Sequence, residues 1–164
     1  MSDANKSNKA LLKFFVAAII FFCWGVIQGA LQAQKPIHDF LSQGPADIII
    51  GAHAHINLLG WVSLTLAGLL YYLIPILTER PIAVPRLIPW VFWLWTISAG
   101  LMTALMDLAG IAGGKAFIAG VTGANLDNVM MPYMIAVSFL AIITGIAIVI
   151  FVIQILVSIG RKAK

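Results

Sequence analysis

The 164-residue chain is too apolar for an ordinary soluble domain, because 62% of its residues are hydrophobic and only 10% are charged. Its mean hydropathy is +1.02. The formal net charge is +4, but the sequence has neither basic patches interleaved with aromatic residues nor a glycine-rich phosphate loop. These features exclude nucleic acid as a partner and predict an all-α integral membrane protein in contact with membrane lipid.

Four apolar segments are each long enough to span a bilayer as a helix. Their predicted bounds are about 11–31, 48–77, 88–111 and 129–159. Short loops between four spans favour one antiparallel four-helix bundle as a single domain over residues 1–164. The N-terminal basic residues and apolar run are similar to a signal peptide. Since the apolar run is longer than the hydrophobic region of a typical signal peptide and lacks a clear cleavage site, we expect it to be retained in the protein as a helix.

The basic residues predict the orientation of the chain in the membrane. Of the ten lysines and arginines, all but Lys35 and Lys115 lie at the N-terminus, in the loop after the second span or at the C-terminus. By the positive-inside rule, these three regions face the cytoplasm. Both termini are therefore expected to be cytoplasmic.

This orientation gathers the polar side chains of the spans near the outer face. The residues in this layer are Gln28, His53, His55, Asn57, Asp107, Asp127, Asn128 and Tyr133. Ionisable residues inside a membrane are costly and are functional candidates by default.

The stretch GAHAHINLLGW holds two of the three histidines of the chain. On a regular helix His53 and His55 point about 200° apart, so one metal ion cannot easily bind both. His53 shares a face with Asn57 and Gly60, where the missing side chain of Gly60 leaves a shallow surface for a flat ligand. His55 is expected to lie on a different face, with Leu59 and Val62.

Other candidates are each open to two interpretations. Asp107 either orients a ligating imidazole or reaches interfacial water. Cys23 is interpreted as a small hydrophobic residue. The tryptophans are interpreted as an inner-interface belt, and three methionines either pack or supply a thioether ligand. These two groups are Trp90, Trp93 and Trp95, and Met130, Met131 and Met134.

The second span resembles the second helix of subunit I of the heme-copper oxidases and nitric oxide reductases. His53 and Asn57 are similar to a His-x-x-x-Asn arrangement in some branches, and YYLIP ends in Pro75 as that helix often does. Counted back from Pro75, His53 fits the position of the low-spin heme ligand better than His55. The stretch MMPYMIAVSFLAIITGIAIVIF resembles another oxidase helix less specifically.

The resemblance covers only the N-terminal third of such a subunit, and the family's other histidines come from later helices. It therefore implies one heme b held by His53, without a heme-copper centre and without oxidase activity by this chain alone. A sixth ligand would come from His55, His38, a methionine of the fourth span or another protomer. The opposed directions of His53 and His55 favour another protomer, as in a symmetric dimer.

The expected function is electron transfer near the outer face of a bacterial inner membrane, with a quinone or a periplasmic redox protein as partner. One alternative is a copper-binding membrane protein, since His38, His53 and His55 are ligands that copper accepts. Others are a structural or assembly subunit of a respiratory complex, and a heme-based gas sensor with one open coordination position.

Overall fold

The computed structural model describes the backbone of residues 3–161 and the side chains of residues 11–161. Basic residues used for the orientation, Lys6, Lys9, Lys162 and Lys164, lie outside the described side chains. The α-helices are α1 (Asp3–Gln32), α2 (Lys35–Leu41), α3 (Ile48–His55), α4 (Ser63–Thr78), α5 (Ile88–Ile118) and α6 (Ala124–Gly160). A 3-10 turn, Gly44–Asp47, precedes α3, and another, Pro85–Leu87, precedes α5.

Within the described residues, four segments are long and apolar enough to cross a membrane, as the sequence predicts. They are Leu11–Gln32, Gly44–Thr78, Pro85–Ile118 and Ala124–Gly160, referred to below as spans one to four. Each contains an 18-residue window whose mean hydropathy is 2.2, 1.7, 1.5 and 3.0, respectively. The all-helical membrane architecture is therefore confirmed.

The third and fourth spans are longer than predicted, and only residues 119–123 of the glycine-rich stretch after residue 111 form a loop. Helix α5 continues to Ile118. Gly113 and Gly114 are buried, and a Cβ atom at either would meet Pro45 at 2.8 Å or Phe40 at 2.7 Å. These glycines allow Phe40 on α2 and Pro45 in the turn before α3 to pack closely against α5. They lie within the helix and do not end it.

Span two contains a wide turn that the sequence pattern does not predict. A π-helical segment, Ile56–Val62, joins α3 to α4. The backbone N–H of Ser63 donates to the carbonyl of Leu58, five residues earlier, where an α-helix would use Leu59. The carbonyl of Leu59 instead accepts the indole N–H of Trp95 on α5 at 3.1 Å. Side-chain positions beyond His55 therefore depart from those of a regular helix.

Trp95 lies in the core and is not part of an interfacial belt. Its side chain is 2% exposed, whereas Trp90 and Trp93 are 66% and 50% exposed. The belt prediction is therefore wrong for Trp95, which the core accepts because Leu59 satisfies its N–H group.

A buried hydrogen-bond network joins α4, α6 and the loop between α4 and α5. Gln154 on α6 accepts from the Tyr71 hydroxyl at 2.7 Å and donates to the carbonyls of Ala83 and Val84, each at 3.0 Å. The Ser158 hydroxyl accepts the backbone N–H of Ala83 at 2.8 Å. The network fixes the loop between α4 and α5 against α6. This loop is called the inner loop below, because the basic residues predict that it faces the cytoplasm.

Candidate functional site

His55 is the last residue of α3, and its side chain is exposed. Its Nδ1 lies 2.7 Å from the carbonyl oxygen of Gly51. Because a carbonyl only accepts, this contact requires that Nδ1 carry the proton. Nε2 then has a free lone pair. Metal-ligating histidines usually have this second bond from the other ring nitrogen to a carbonyl or carboxylate.

His53 lies in the contact between span two and α1. A Cβ atom at Gly29 would be 2.9 Å from His53 Cε1, so the ring fills the notch left by that glycine. Asn57 donates to the His53 carbonyl at 2.8 Å, and its Nδ2 lies 3.4 Å from each ring nitrogen of His53. The side chain of Asn57 fills a similar notch at Gly25. The two side chains thus act as packing elements between the helices.

Gly60 also faces α1, but it does not leave room for a flat ligand. The ring of Phe21 packs against it, with Phe21 Cγ 2.7 Å from a built Cβ position. Gly60 is buried as a result. The prediction of a ligand surface at Gly60 is therefore wrong, because an aromatic side chain of the same chain occupies the space.

Asp107 bonds to a glutamine and has no hydrogen bond to a histidine within the described residues. Gln28 Nε2 on α1 donates to Asp107 Oδ1 at 2.6 Å. Gln28 is 9% exposed, and its Oε1 is buried without a hydrogen-bond partner in the described part of the chain. The predicted role of Asp107 in orienting an imidazole is not what its contacts indicate.

His38 is exposed on α2, in the connection between spans one and two, where the sequence predicts it. Across the residues whose side chains are described, no three or more of His, Cys, Asp and Glu are grouped to hold a metal ion. His38, His53 and His55 are thus not brought together. The sulfur of Met130 packs against Gly113, so the contact of this methionine is one of helix packing.

The sequence does not predict the roles of two further residues, Gly51 and Trp95. Gly51 supplies the carbonyl that fixes the His55 ring, and its spacing of four residues before His55 is the signal that could have indicated it. Trp95 holds the wide turn that follows His55 through a bond between helices. No local sequence signal predicts that second contact, because it depends on the packing of α5.

Comparisons with known proteins agree with the resemblance drawn from the second span. Residues 1–147 match the family described as "Cytochrome C and Quinol oxidase polypeptide I". The Cbb3-type cytochrome c oxidase subunit CcoN1 of Stutzerimonas stutzeri is 33% identical over 105 residues, 63% of this chain and 22% of that protein.

Two further relatives match this chain with similar identity and over a similar share of its length. The cytochrome c oxidase subunit 1 homolog of Agrobacterium tumefaciens (strain T37) is 30% identical over 62% of this chain and 18% of that protein. Cytochrome c oxidase subunit 1 of Rhodobacter capsulatus is 30% identical over 63% of this chain and 19% of that protein. The match thus spans about a fifth of the length of these curated relatives.

Proposed function

Because the chain belongs to the cytochrome c and quinol oxidase polypeptide I family, we propose that it is a multi-pass membrane protein that binds heme b and transfers electrons. The proposal assigns the axial ligand to His55. The observation that carries it is the bond between His55 Nδ1 and the Gly51 carbonyl, which leaves Nε2 free on an exposed ring.

The contacts of the two histidines favour His55 as the ligand. The resemblance had favoured His53, because its distance along the chain from Pro75 fits the position of the family's low-spin heme ligand better. The His53 ring is wedged against Gly29, so using it as a ligand would require the contact between α1 and span two to open. His55 needs no such rearrangement. The wide turn between His55 and Pro75 contains one residue more than a turn of a regular helix. Counting residues back from Pro75 is therefore a weaker guide to the position of the ligand.

A porphyrin needs apolar contacts around its ligand, and the span that carries His55 has exposed apolar side chains. Ile50, Leu58 and Leu66 on the same span are 50%, 60% and 51% exposed. When bound, heme with two imidazole ligands supplies reversible one-electron chemistry. His55 would hold the iron, and Gly51 would fix the orientation of its ring.

We propose that the second axial ligand is His55 of a second copy of this chain. Within the described residues, His55 belongs to no group of three or more His, Cys, Asp and Glu side chains that could hold a metal ion. A two-fold axis beside His55 would present the same imidazole from each protomer. The resulting homodimer would hold one heme for every two chains.

The antiparallel arrangement and cytoplasmic termini belong to the same proposal. Neighbouring contacts pair Phe14 with Tyr71, and Gly29 with His53, in opposite senses along spans one and two. The basic residues support cytoplasmic termini in a bacterial inner membrane. His55 would then lie near the outer face and exchange electrons with a quinone or a periplasmic redox protein.

An absorption spectrum of the detergent-purified protein, expressed in a heme-replete host, tests this function. The wild type is expected to show a Soret band and sharp α and β bands on reduction, and a pyridine hemochrome assay should identify heme b. A heme-to-chain ratio of one to two is expected for the shared site.

His55→Ala and His53→Ala form a matched pair in this experiment. His55→Ala should lose the heme bands, whereas His53→Ala should keep them and unfold at a lower temperature. Loss of the bands only in His53→Ala would overturn the ligand assignment. A wild type without a Soret band would overturn the function.

A structural or assembly subunit is the second candidate, supported by the packing of His53 and Asn57 into the glycine notches of α1. It predicts a heme-free protein that co-purifies with other respiratory subunits. The copper-binding alternative has less support, because the described histidines do not converge. It predicts stoichiometric copper without porphyrin.

A further inference from the structure

A cavity of about 330 Å³ lies between the outer ends of α1 and α5, beneath α2. This outer pocket has a polar wall made by Gln28, Gln32 and Asp107. The other lining residues are apolar or aromatic: Trp24, Ile27, Leu31, Ile37, Phe40, Leu41, Ile49 and Ile111. Its volume is within the range of small-molecule sites. It is separate from His55, which does not line it.

One N–H donor of each glutamine in the polar wall is already used by the protein. Gln28 Nε2 donates to Asp107 Oδ1 at 2.6 Å, and Gln32 Nε2 donates to the carbonyl of Ile49 at 3.2 Å. Within the described residues, Gln28 Oε1 is buried without a donor, and the hydrogen bonds of Asp107 involve only Oδ1. The free acceptors of the polar wall are therefore Gln28 Oε1, Gln32 Oε1 and Asp107 Oδ2, while each glutamine also keeps its second N–H.

A carboxylate and two amide oxygens call for a ligand that carries several donors and a positive charge. A primary ammonium has three N–H donors and no acceptor, which matches this set. A carboxylate at membrane depth is costly unless it is paired, so a bound cation would also lower the cost of burying Asp107. A neutral hydroxyl compound supplies donors but not the charge.

The walls of the outer pocket indicate how such a ligand would arrive. Ile27, Leu31 and Ile111 are 61%, 50% and 39% exposed, so the pocket opens toward the surface that faces lipid. Gln32 is the last residue of α1, which sets the pocket at the level where headgroups begin. An amphiphile in the bilayer can therefore place its headgroup at Asp107 and keep its acyl chains along α1.

We propose that the outer pocket binds the headgroup amine of an aminophospholipid, with Asp107 as the charged partner and Gln28 and Gln32 as hydrogen-bond acceptors. Partial rotation of the Gln28 amide would bring its buried oxygen to the ligand. The site does not depend on heme, and the proposal stands independently of the electron-transfer function.

Native mass spectrometry of the detergent-purified protein tests this site with four lipids of identical acyl chains. These are phosphatidylethanolamine, its monomethyl and dimethyl derivatives, and phosphatidylcholine. The series keeps the positive charge while removing N–H donors one by one. Affinity should fall along it, with phosphatidylcholine about tenfold weaker than phosphatidylethanolamine, the loss expected for removing a charge-assisted hydrogen bond. Equal binding of the two end members would overturn the proposal.

Variants locate the site on the protein. Asp107→Asn keeps an oxygen for the Gln28 amide, so the helix contact is retained while the charge is lost. We expect it to weaken phosphatidylethanolamine binding about tenfold. Asp127→Asn, an exposed carboxylate at the start of α6, is the matched control and should bind as the wild type does. Gln32→Leu should weaken binding without changing the charge.

Diacylglycerol, which is neutral and carries a hydroxyl donor, distinguishes charge from hydrogen bonding. Binding of diacylglycerol as tight as that of phosphatidylethanolamine would overturn the cationic ligand. His55→Ala protein should still bind phosphatidylethanolamine. A loss of heme with unchanged lipid binding would thus separate failure of one proposal from failure of the other.

Discussion

Gly29 on α1 lies directly against the imidazole of His53, and a methyl group at Gly29 would be 2.9 Å from His53 Cε1. No Cβ atom fits at that distance, so either the His53 ring or one of the two helices must shift if the glycine is replaced. Of the two histidines in span two, His53 therefore packs between spans one and two, and His55 is the one with a free ring nitrogen.

The first prediction concerns the notch at Gly29. Gly29→Ala should destabilise the protein by about 1–3 kcal/mol, the usual cost of overpacking, despite the higher helix propensity of alanine. Thermal unfolding in detergent, followed by size-exclusion chromatography of the surviving protein, measures the effect. Gly145→Ala is the control, because nothing lies within 4 Å of its built Cβ position, and it should be neutral or stabilising.

A double variant tests whether the His53 ring is the source of the clash. His53→Ala should remove the obstacle, so Gly29→Ala should cost less in that background than in the wild type. Equal costs in the two backgrounds would show that the ring and the glycine do not compete for space.

The second prediction concerns the bond between Trp95 and the carbonyl of Leu59 in the wide turn. Trp95→Phe keeps an aromatic ring near Phe151 but removes the N–H donor. Since hydrogen bonds between membrane helices contribute about 0.6–2 kcal/mol, the variant should unfold several degrees earlier. Trp90→Phe, at an exposed position, should have a much smaller effect in the same assay. A Trp95→Phe protein as stable as wild type would contradict the assigned bond.

The four spans could be predicted from the sequence because they depend on length and hydropathy along the chain. The positions of Gly113 and Gly114 could not, since glycine in a loop and glycine at a close helix contact have the same local pattern. The wide turn was missed because one additional residue in a turn leaves an apolar segment apolar.

The site shows the same division between local and tertiary information. The choice of His53 and His55 as candidates followed from their rarity in an apolar segment. Their different roles depend on Gly29, across the helix contact, and on the orientation of the His55 ring toward Gly51. The pairing of Gln28 with Asp107 joins residues 79 positions apart, which no local pattern connects.

The third prediction tests whether the His55 side chain binds the heme iron directly. His55→Gly should lose the heme bands, and added imidazole should restore them, because the free ligand can occupy the space of the missing side chain. The absorption spectrum with and without imidazole measures this. His53→Gly, the matched variant, should keep its bands without imidazole. Failure of imidazole to restore any Soret intensity to a folded His55→Gly protein would argue against direct ligation.

The fourth prediction concerns Gln154, which is 3% exposed and joins Tyr71 to the inner loop. Gln154→Leu leaves the Tyr71 hydroxyl and the carbonyls of Ala83 and Val84 without their partner. Each unpaired buried group costs about 1–3 kcal/mol, so this variant should be among the least stable single substitutions in the chain. Tyr71→Phe removes only one of these bonds and should cost less.

Hydrogen exchange of the inner loop separates the two variants. In Gln154→Leu the amides of residues 79–87 should exchange faster, because the loop loses both bonds from Gln154 to its backbone. In Tyr71→Phe those bonds remain, so the loop should stay protected although the protein unfolds earlier. Equal protection of the loop in the two variants would mean that Ser158, through its bond to the Ala83 N–H, is sufficient to hold the loop on α6.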